Sequence, residues 1–377
     1  MSSDKLMAFP QSEYDRRIGA VRKLMKAMSV DLLLVDCLEH MSYLFGYAPP
    51  AAVYQPALLP LEGDPVVLVR ALDAATLSEQ SWVEDVVAFR DIEDPIAVLA
   101  RTFEQRGWTS KRVAIELGSH FLPAARFKAM QAALPQVDFI DFGRRLWELR
   151  LHKSDVEIEL LRKASAVADI GMMAAIDAAA AGVPERECAA ALYAAVMRAG
   201  ADTTRSALIA SGKRTASLHG RLGDHILEPG DVLHVESIPL VMGYGARLMR
   251  STSIGEPDDD QLQAAKMLLR LQEEQFAAMK PGARASDVDR ILRQGVLEAG
   301  LRPTYDNVTG YTMGFVGLPV TSDFTRAFLP ESDWILEEAM VFHMYTYARG
   351  LAFSDTVLVT ANGSECLTKT PRQLFVR

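Results

Sequence analysis

The hydrophobic positions of the first 150 residues alternate between helical and extended spacing. Apolar side chains recur every three or four residues after Ser12, which predicts a helix with Ser12 as its N-terminal cap. These apolar positions are Ile18, Val21, Met25 and Met28. Short apolar runs, typical of buried strands, follow at residues 31–35, 66–69 and 113–117. The alternation predicts an α/β domain with a mixed sheet over residues 1–150.

The pattern changes near residue 150, where a long helix is predicted to begin. Ser154 and Glu157 have the S-x-x-E spacing of a capping box, which marks a helix start. The apolar positions that follow at helical spacing are Leu160, Ala164, Val167, Ile170 and Met173. The alanine-rich stretch behind them is predicted to close at Gly182.

The rest of the chain predicts helices that pack on an antiparallel sheet. Further helices are expected after Pro184 and over residues 258–280 and 286–300. Runs typical of strands occur at residues 207–210, 232–238, 246–253, 341–347 and 355–360. Residues 151–377 are therefore predicted to form a second domain of the α+β class.

Composition narrows the classes of partner. A chain of 377 residues with 49% hydrophobic content is long enough for two domains. Its formal net charge of −9 opposes binding to nucleic acid or to a membrane, so a small-molecule partner is expected. The sequence has neither a signal-peptide pattern nor an apolar run of about 18 residues, which predicts a cytoplasmic protein. Cys37, Cys188 and Cys366 are odd in number and far apart, which favours free thiols.

Several short motifs follow one another along the chain. They are Leu44-Phe45-Gly46-Tyr47, then Arg150 with Lys153, Ser154 and Glu157, then Gly230-Asp231 with Glu236, Gly243-Tyr244 and Arg250, and finally the stretch from Phe353 to Gly363. In this order they resemble the motifs of the creatinase, prolidase and aminopeptidase P family over essentially the whole chain. The resemblance implies an α/β N-terminal domain followed by an α+β pita-bread domain with a curved antiparallel sheet.

The resemblance also identifies the positions at which metallopeptidases of this family hold two metal ions. In this sequence those positions are Glu236, Arg247, Tyr311, Tyr345 and Ser354. Four of the five lack the carboxylate or imidazole that the family uses, and Arg247 is a permanent cation that repels a metal ion. We therefore expect no metal ion and no other cofactor, as in the metal-free relatives creatinase and ectoine hydrolase.

Two residues are candidates for proton transfer and attack. The resemblance places His219 where this family has an active-site histidine, and an ordinary histidine pKa of about 6.5 suits a proton shuttle. Glu236 lies in an otherwise apolar strand, where partial desolvation raises the basicity of a carboxylate and equips it as base or nucleophile. A loop hydrogen bond for His219, and an ion pair with Arg247 or Arg250 for Glu236, are the ordinary alternatives.

Three further residues are predicted to bind substrate. The planar donors of Arg247 fit a substrate carboxylate, with a structural ion pair as the alternative. Tyr311 and Tyr345 stand at metal-ligand positions, where neutral hydroxyl donors can stabilise developing negative charge. Simple packing of both tyrosines is the alternative interpretation.

Together these residues predict a metal-independent hydrolase that cleaves a C–N bond of a small amidine, ureido or cyclic amide compound. Two other functions stay open, an Xaa-Pro metallopeptidase and a non-catalytic binding protein of the same fold. The resemblance further implies a homodimer, in which Tyr43 or Tyr54 of one chain completes the site of the other, with simple packing of these tyrosines as the alternative.

Overall fold

The chain divides after Arg150 into two units, residues 1–150 and 151–377. The computed structural model describes residues 5–50, 53–202, 207–316 and 323–377. The motif-based expectation of an α/β domain followed by a pita-bread domain is confirmed. No helix within these described ranges is both long and apolar enough to cross a membrane.

The first unit is a six-stranded sheet with helices on both faces. Its helices are α1 (Gln11–Ala27), α2 (Leu38–Phe45), α3 (Ala74–Gln80), α4 (Pro95–Arg106), α5 (Ala124–Ala133) and α6 (Arg145–Leu149). Its strands are β1 (Leu32–Val35), β2 (Ala57–Pro60), β3 (Val66–Arg70), β4 (Asp85–Phe89), β5 (Arg112–Ile115) and β6 (Asp138–Asp141). The strand order is β4-β3-β2-β1-β5-β6, and β2 alone runs antiparallel to its neighbours.

Strand β1 shows why its sequence is apolar at every position. Leu33 and Val35 belong to the hydrophobic cluster that includes α1 and α2. Leu32 and Leu34 belong to the cluster on the other face, with α4 and α5. Because successive side chains of a strand point to opposite faces, a strand covered by helices on both sides must be apolar throughout.

The predicted cap of the first helix is wrong. Helix α1 begins at Gln11, and Pro10 occupies the capping position in an extended conformation (φ −66°, ψ 154°). The proline ring fixes φ and supplies no N–H group, so it fits the position before the first helical turn. Ser12 therefore lies inside that turn.

The second unit places helices on one face of an eight-stranded sheet. Its helices are α7 (Asp155–Ala178), α8 (Glu185–Arg198), α9 (Asp259–Ala278) and α10 (Ala285–Glu298), with a 3₁₀ turn at Gly212–Ala216. Its strands are β7 (Ala207–Ser211), β8 (Val232–Ser237), β9 (Leu240–Val241), β10 (Tyr244–Gly245), β11 (Leu248–Ser253), β12 (Gly310–Thr312), β13 (Val341–Ala348), β14 (Leu351–Thr360), β15 (Gly363–Cys366) and β16 (Phe375–Val376). The main order is β12-β13-β14-β11-β8-β7, with β15 paired to β14 and β16 to β11; β9 and β10 form a separate hairpin.

The two ends of α7 illustrate one correct and one wrong prediction. Ser154 and Glu157 form the predicted capping box at its start. Its end was predicted at Gly182, but the helix stops at Ala178. Beyond it the backbone pairs with Leu227, which accepts from the Gly182 N–H and donates to the Val183 carbonyl. That pairing is incompatible with a continuing helix, so α7 ends before Gly182.

The sheet of the second unit separates apolar from polar side chains by strand alternation. Leu233 and Val235 of β8 pack against α7 and α8, whereas Phe342 and Phe353 pack in the clusters under α9 and α10. The intervening residues of the same strands point to the other face, and they are largely polar. This face, called the polar face below, carries the candidate site.

Helix packing in the second unit yields a stability prediction. Gly171 of α7 lies against α8, and a Cβ atom there would overlap Cγ1 of Val196. Gly171→Ala should therefore lower the free energy of unfolding by about 1–3 kcal/mol, although alanine is the better helix former. The matched control is Gly19→Ala in α1, where a Cβ would meet no atom within 4 Å. That change should stabilise by up to about 1 kcal/mol. Scanning calorimetry of both variants checks the pair, and equal shifts would contradict the packing argument.

Candidate active site

Strand register brings four of the relevant side chains into one row across the polar face. Glu236 of β8 pairs with Met249 of β11, and Met249 pairs with Ser354 of β14. Ser354 in turn pairs with Tyr345 of β13. Residues directly opposite each other in a sheet share a face, so these side chains are neighbours although they lie far apart in sequence.

A buried ion pair lies in this row. Arg247 Nη1 donates to Glu236 Oε1 at 2.8 Å, and the two side chains are 7% and 0% exposed. The Arg247 backbone is held by Thr356, whose hydroxyl accepts from its N–H and donates to its carbonyl. Burial opposes the charge on Arg247, but the neighbouring Glu236 carboxylate more than offsets it, so the pKa of Arg247 is raised. Glu236 therefore forms an ion pair with Arg247, which the sequence analysis gave as the alternative to a catalytic role.

The sequence left two arginines open as partners of Glu236, and the structure separates them. Arg250 binds Asp355 at 2.9 Å and the carbonyl oxygens of Ser354 and Thr370. Glu236 Oε2 has no hydrogen-bond partner among the residues that the structure describes. One carboxylate oxygen is therefore held by Arg247, and the other is left to a ligand or to solvent.

An aromatic group extends the site beyond the ion pair. The Tyr311 hydroxyl lies 2.9 Å from Nδ1 of His343, and the His343 ring stacks on Tyr345 at 5.3 Å. The guanidinium of Arg247 lies 5.7 Å from the centre of the Tyr311 ring. Asn307 donates to the Tyr345 hydroxyl at 3.1 Å, which leaves the hydrogen of that hydroxyl to donate elsewhere. Tyr311, Tyr345 and Arg247 are thus brought together, and their predicted role in substrate binding stays a prediction.

His343 is a neutral member of this group. Burial and the nearby charge of Arg247 hold its pKa well below the ordinary histidine value. If Tyr311 donates to Nδ1, the single ring hydrogen sits on Nε2. Within the described ranges Nε2 has no hydrogen-bond partner. The ring then offers one neutral donor to the polar face.

Two further histidines bear on this region, His219 and His234. His219 is exposed in the turn that follows the 3₁₀ segment Gly212–Ala216. His234 is buried on β8, two residues before Glu236 and on the same face. Burial, with a smaller contribution from the charge of His219, lowers the pKa of His234 to about 4. A charge on the exposed His219 thus opposes a charge on the buried His234.

The loop that carries His219 is fixed by one buried carboxylate. Glu185, at the start of α8, accepts hydrogen bonds from the hydroxyl of Ser211, the guanidinium of Arg214 and the N–H of Gly223. The Tyr347 hydroxyl also donates to the carbonyl of Thr215 at 3.0 Å. These contacts on both sides of His219 hold the turn in place.

Sequence reasoning missed His234 and His343. Both stand two residues before a candidate in the same strand, His234 before Glu236 and His343 before Tyr345. Because a strand repeats every two residues, that spacing alone puts each histidine on the candidate's face. Applied to these strands, the rule would have identified both.

The two N-terminal tyrosines belong to the first unit. Tyr43 is packed in its core, where Arg17 covers the ring at 4.0 Å and donates to the Tyr43 carbonyl. Tyr54 donates its hydroxyl to Asp36 at 3.1 Å. Their predicted role in a second chain's site stays a prediction.

The donor set does not fit the metal ions that the fold implies. Within the described parts of the chain, no group of three or more His, Cys, Asp and Glu side chains is arranged to hold a metal ion. Glu236 faces the cation Arg247 instead, and a second positive charge beside that cation would be repelled.

The buried His234 makes stability depend on pH in a definite direction. Its pKa is about 4 in the folded chain, against an ordinary value of 6.5. Above about pH 6.5 both states hold it neutral, whereas between pH 6.5 and 4 the unfolded chain binds a proton that the folded chain does not. The free energy of unfolding should therefore decrease as the pH is lowered from 6.5 to 4, and this residue contributes up to about 1.4 kcal/mol per pH unit to that decrease. In His234→Gln, urea titrations from neutral pH to about pH 4.5 should give a shallower fall. An unchanged slope would contradict the buried neutral assignment.

Comparison with known proteins places this geometry in a family. Residues 17–152 match the creatinase/prolidase N-terminal domain, and residues 159–361 match metallopeptidase family M24. The chain is 27% identical to the ectoine hydrolase of Halomonas elongata, over 98% of this chain and 99% of that protein. It is also 27% identical to the Xaa-Pro dipeptidase of Pyrococcus horikoshii, over 96% and 99%. The crystal structure of the prolidase from Pyrococcus horikoshii OT3 superposes with a TM-score of 0.82 at 25% identity, covering 96% of this chain and 100% of that one. The chain belongs to metallopeptidase family M24 and carries the creatinase/prolidase N-terminal domain of its relatives.

Proposed function

We propose that the chain is a metal-independent hydrolase that cleaves a C–N bond in a small amidine, ureido or cyclic amide compound. The observation that carries this proposal is the buried ion pair of Glu236 and Arg247. Both residues stand at positions where metallopeptidases of the family are expected to hold metal ions. Without a metal ion, Arg247 can bind the substrate and Glu236 can act as the base, while their opposite charges neutralise each other.

Glu236 is the group that acts on the reacting carbon. Its Oε2 atom is buried and lacks a hydrogen-bond partner among the described residues, so it can face the substrate. The carboxylate either takes a proton from the attacking water or forms the bond to carbon itself. His219 gives a proton to the leaving nitrogen as the C–N bond breaks, and it regains that proton from the water molecule by way of Glu236. Where Glu236 has bonded to carbon, a water molecule then hydrolyses that bond and supplies the proton.

Substrate binding can raise the reactivity of Glu236. A carboxylate of the substrate competes for Arg247, because the planar guanidinium can give two parallel hydrogen bonds to one carboxylate. Glu236 Oε1 then loses the donor that holds it at 2.8 Å. Without that hydrogen bond, the Glu236 carboxylate is available to act on water or on the reacting carbon. The base is thus fully active only when the substrate is in place.

Neutral donors stabilise the charge that develops during the reaction. The candidates are Nε2–H of His343 and the hydroxyl hydrogen of Tyr345. Tyr311 acts through its contact with His343 and orients the ring. Such donors are weaker than a metal ion, but in a buried site they act with little competition from water.

An Xaa-Pro dipeptidase is the second candidate function. It is supported by the relatives that bear this name and by the prolidase structure that shares the fold. The cation Arg247 beside Glu236 favours the first candidate, because a two-metal peptidase needs carboxylates at both positions. A substrate panel of cyclic amidines, guanidino acids and Xaa-Pro dipeptides distinguishes the two.

The roles of the three central residues predict different kinetic effects. With a substrate from this panel, His219→Ala and Glu236→Gln should each lower kcat by about 10²–10⁴-fold, because both groups act mainly in the transition state. Arg247→Lys keeps the charge but loses the planar pair of donors, so it should chiefly raise KM.

A matched control separates these effects from general damage. His152 is an exposed histidine of the same unit, paired with Glu337 at 3.0 Å. His152→Ala should keep kcat near the wild-type value. Near-normal turnover in His219→Ala would overturn the assignment of the proton shuttle, and turnover confined to Xaa-Pro dipeptides would favour the peptidase.

A further inference from the structure

Arg302 is a half-buried cation beside the polar face of the second unit. Its Nη1 atom donates to Asn307 Oδ1 at 2.8 Å, and Asn307 Nδ2 donates to the Tyr345 hydroxyl at 3.1 Å. One side-chain amide therefore joins the guanidinium to a residue in the same row as Glu236. The guanidinium also lies 5.9 Å from the centre of the Tyr347 ring, two residues after Tyr345 and on the same strand face. Arg302 thus stands at the edge of the candidate site.

The loop that carries Arg302 is held by helix α10. Arg293 of that helix pairs with Asp289 at 2.6 Å. Arg293 also donates to the backbone carbonyls of Tyr305 and Asn307, on the loop that follows Arg302. The Arg302 guanidinium lies 4.2 Å from the centre of the Tyr305 ring, which is buried. These contacts orient Arg302 in advance, so that less conformational entropy is lost when it binds a ligand.

Arg302 differs from the arginines around it in its partners. Arg247 and Arg293 are each paired with a carboxylate. Among the residues that the structure describes, Arg302 forms no ion pair, and its contacts are the Asn307 amide and two tyrosine rings. A half-buried guanidinium gains more from an anion than a fully solvated one does, because water stabilises its charge less. Its planar set of N–H donors also matches the geometry of a carboxylate.

The charges of the site indicate which ligand would balance them. Glu236 neutralises Arg247 until a carboxylate of the substrate takes its place. Arg302 is then a second cation, and the released Glu236 carboxylate is an anion. A ligand with two carboxylates and one amidinium or guanidinium group pairs each of these charges with an opposite one. A ligand with a single carboxylate leaves Arg302 without an anion.

We propose that Arg302 binds a second carboxylate of the substrate and thereby selects dicarboxylic amidino or guanidino compounds. This inference rests on the proposed function, in which Arg247 binds the first carboxylate and Glu236 acts on the reacting carbon. Asn307 orients both Arg302 and Tyr345, since it accepts from the one and donates to the other. Arg302 is thus a residue that determines specificity and takes no part in the cleavage of the C–N bond.

Three compounds that differ by one carboxylate test the inference. Guanidinosuccinate has two carboxylates, and 2-guanidinopropionate and 3-guanidinopropionate each lack one of them. Titration calorimetry is carried out on the full chain with His219→Ala, which slows cleavage. Guanidinosuccinate should bind at least about tenfold more tightly than either of the other two, because it alone can pair with both Arg247 and Arg302. Equal affinities for the three compounds would overturn the inference and leave the proposed function standing.

Variants in the same background assign the preference to Arg302. Arg302→Gln should reduce the ratio of affinities to about one, whereas Arg302→Lys keeps the charge and should retain part of the preference. The matched control is Arg290→Gln, because Arg290 is an exposed arginine of α10 that pairs with Asp287. That variant should keep the full preference.

The ratio of affinities separates binding from packing. If Arg302 only packs against Tyr305, Arg302→Gln should weaken all three compounds alike and leave the ratio unchanged, which would refute the inference. Absence of binding by all three compounds would also overturn it. The proposed function is then decided separately, by turnover of the cyclic amidines in the substrate panel.

Discussion

The buried ion pair of Glu236 and Arg247 is the interaction on which the polar face of the second unit depends. Each charge lies where water cannot stabilise it, so each needs the other. Loss of one partner would leave an uncompensated buried charge, which would draw in solvent or a counter-ion. The pair also joins β8 to the segment before β11, whose backbone is bound to Thr356 of β14. Arg247 therefore both balances the charge of Glu236 and connects β8 with β14.

The histidines and the tyrosine around this ion pair carry no charge at neutral pH. His234 and His343 are both kept neutral by burial, and Tyr345 contributes a hydroxyl. The site holds one internal ion pair and otherwise neutral donors. A charged group of a substrate can therefore replace Glu236 as the partner of Arg247. A metal site works differently, because its excess positive charge attracts anions before any exchange takes place.

The amino-acid pattern was sufficient to predict where helices and strands lie, but not which side chains pair with each other. The capping box of Ser154 and the strand around Glu236 follow from local spacing, and both were predicted. Whether Glu236 pairs with Arg247 or Arg250 depends on how β8 and β11 pair. Met249 stands opposite Glu236, so Arg250 points to the other face, where it binds Asp355, more than a hundred residues away.

A likeness between the two helix pairs also escaped detection. In α7–α8 and in α9–α10 a long helix is followed by a turn with a glycine in the left-handed conformation, Gly182 (φ +85°) and Gly282 (φ +87°), and then by a helix of 14 residues. The backbone repeats while most side chains do not, so sequence comparison within the chain has little to find.

We propose that Arg247 and Glu236 stand in place of a metal centre, and elemental analysis of the protein after exposure to Mn²⁺, Co²⁺ and Zn²⁺ tests this most directly. We expect no stoichiometric divalent ion after gel filtration, and one or two tightly held ions per chain would contradict the proposal.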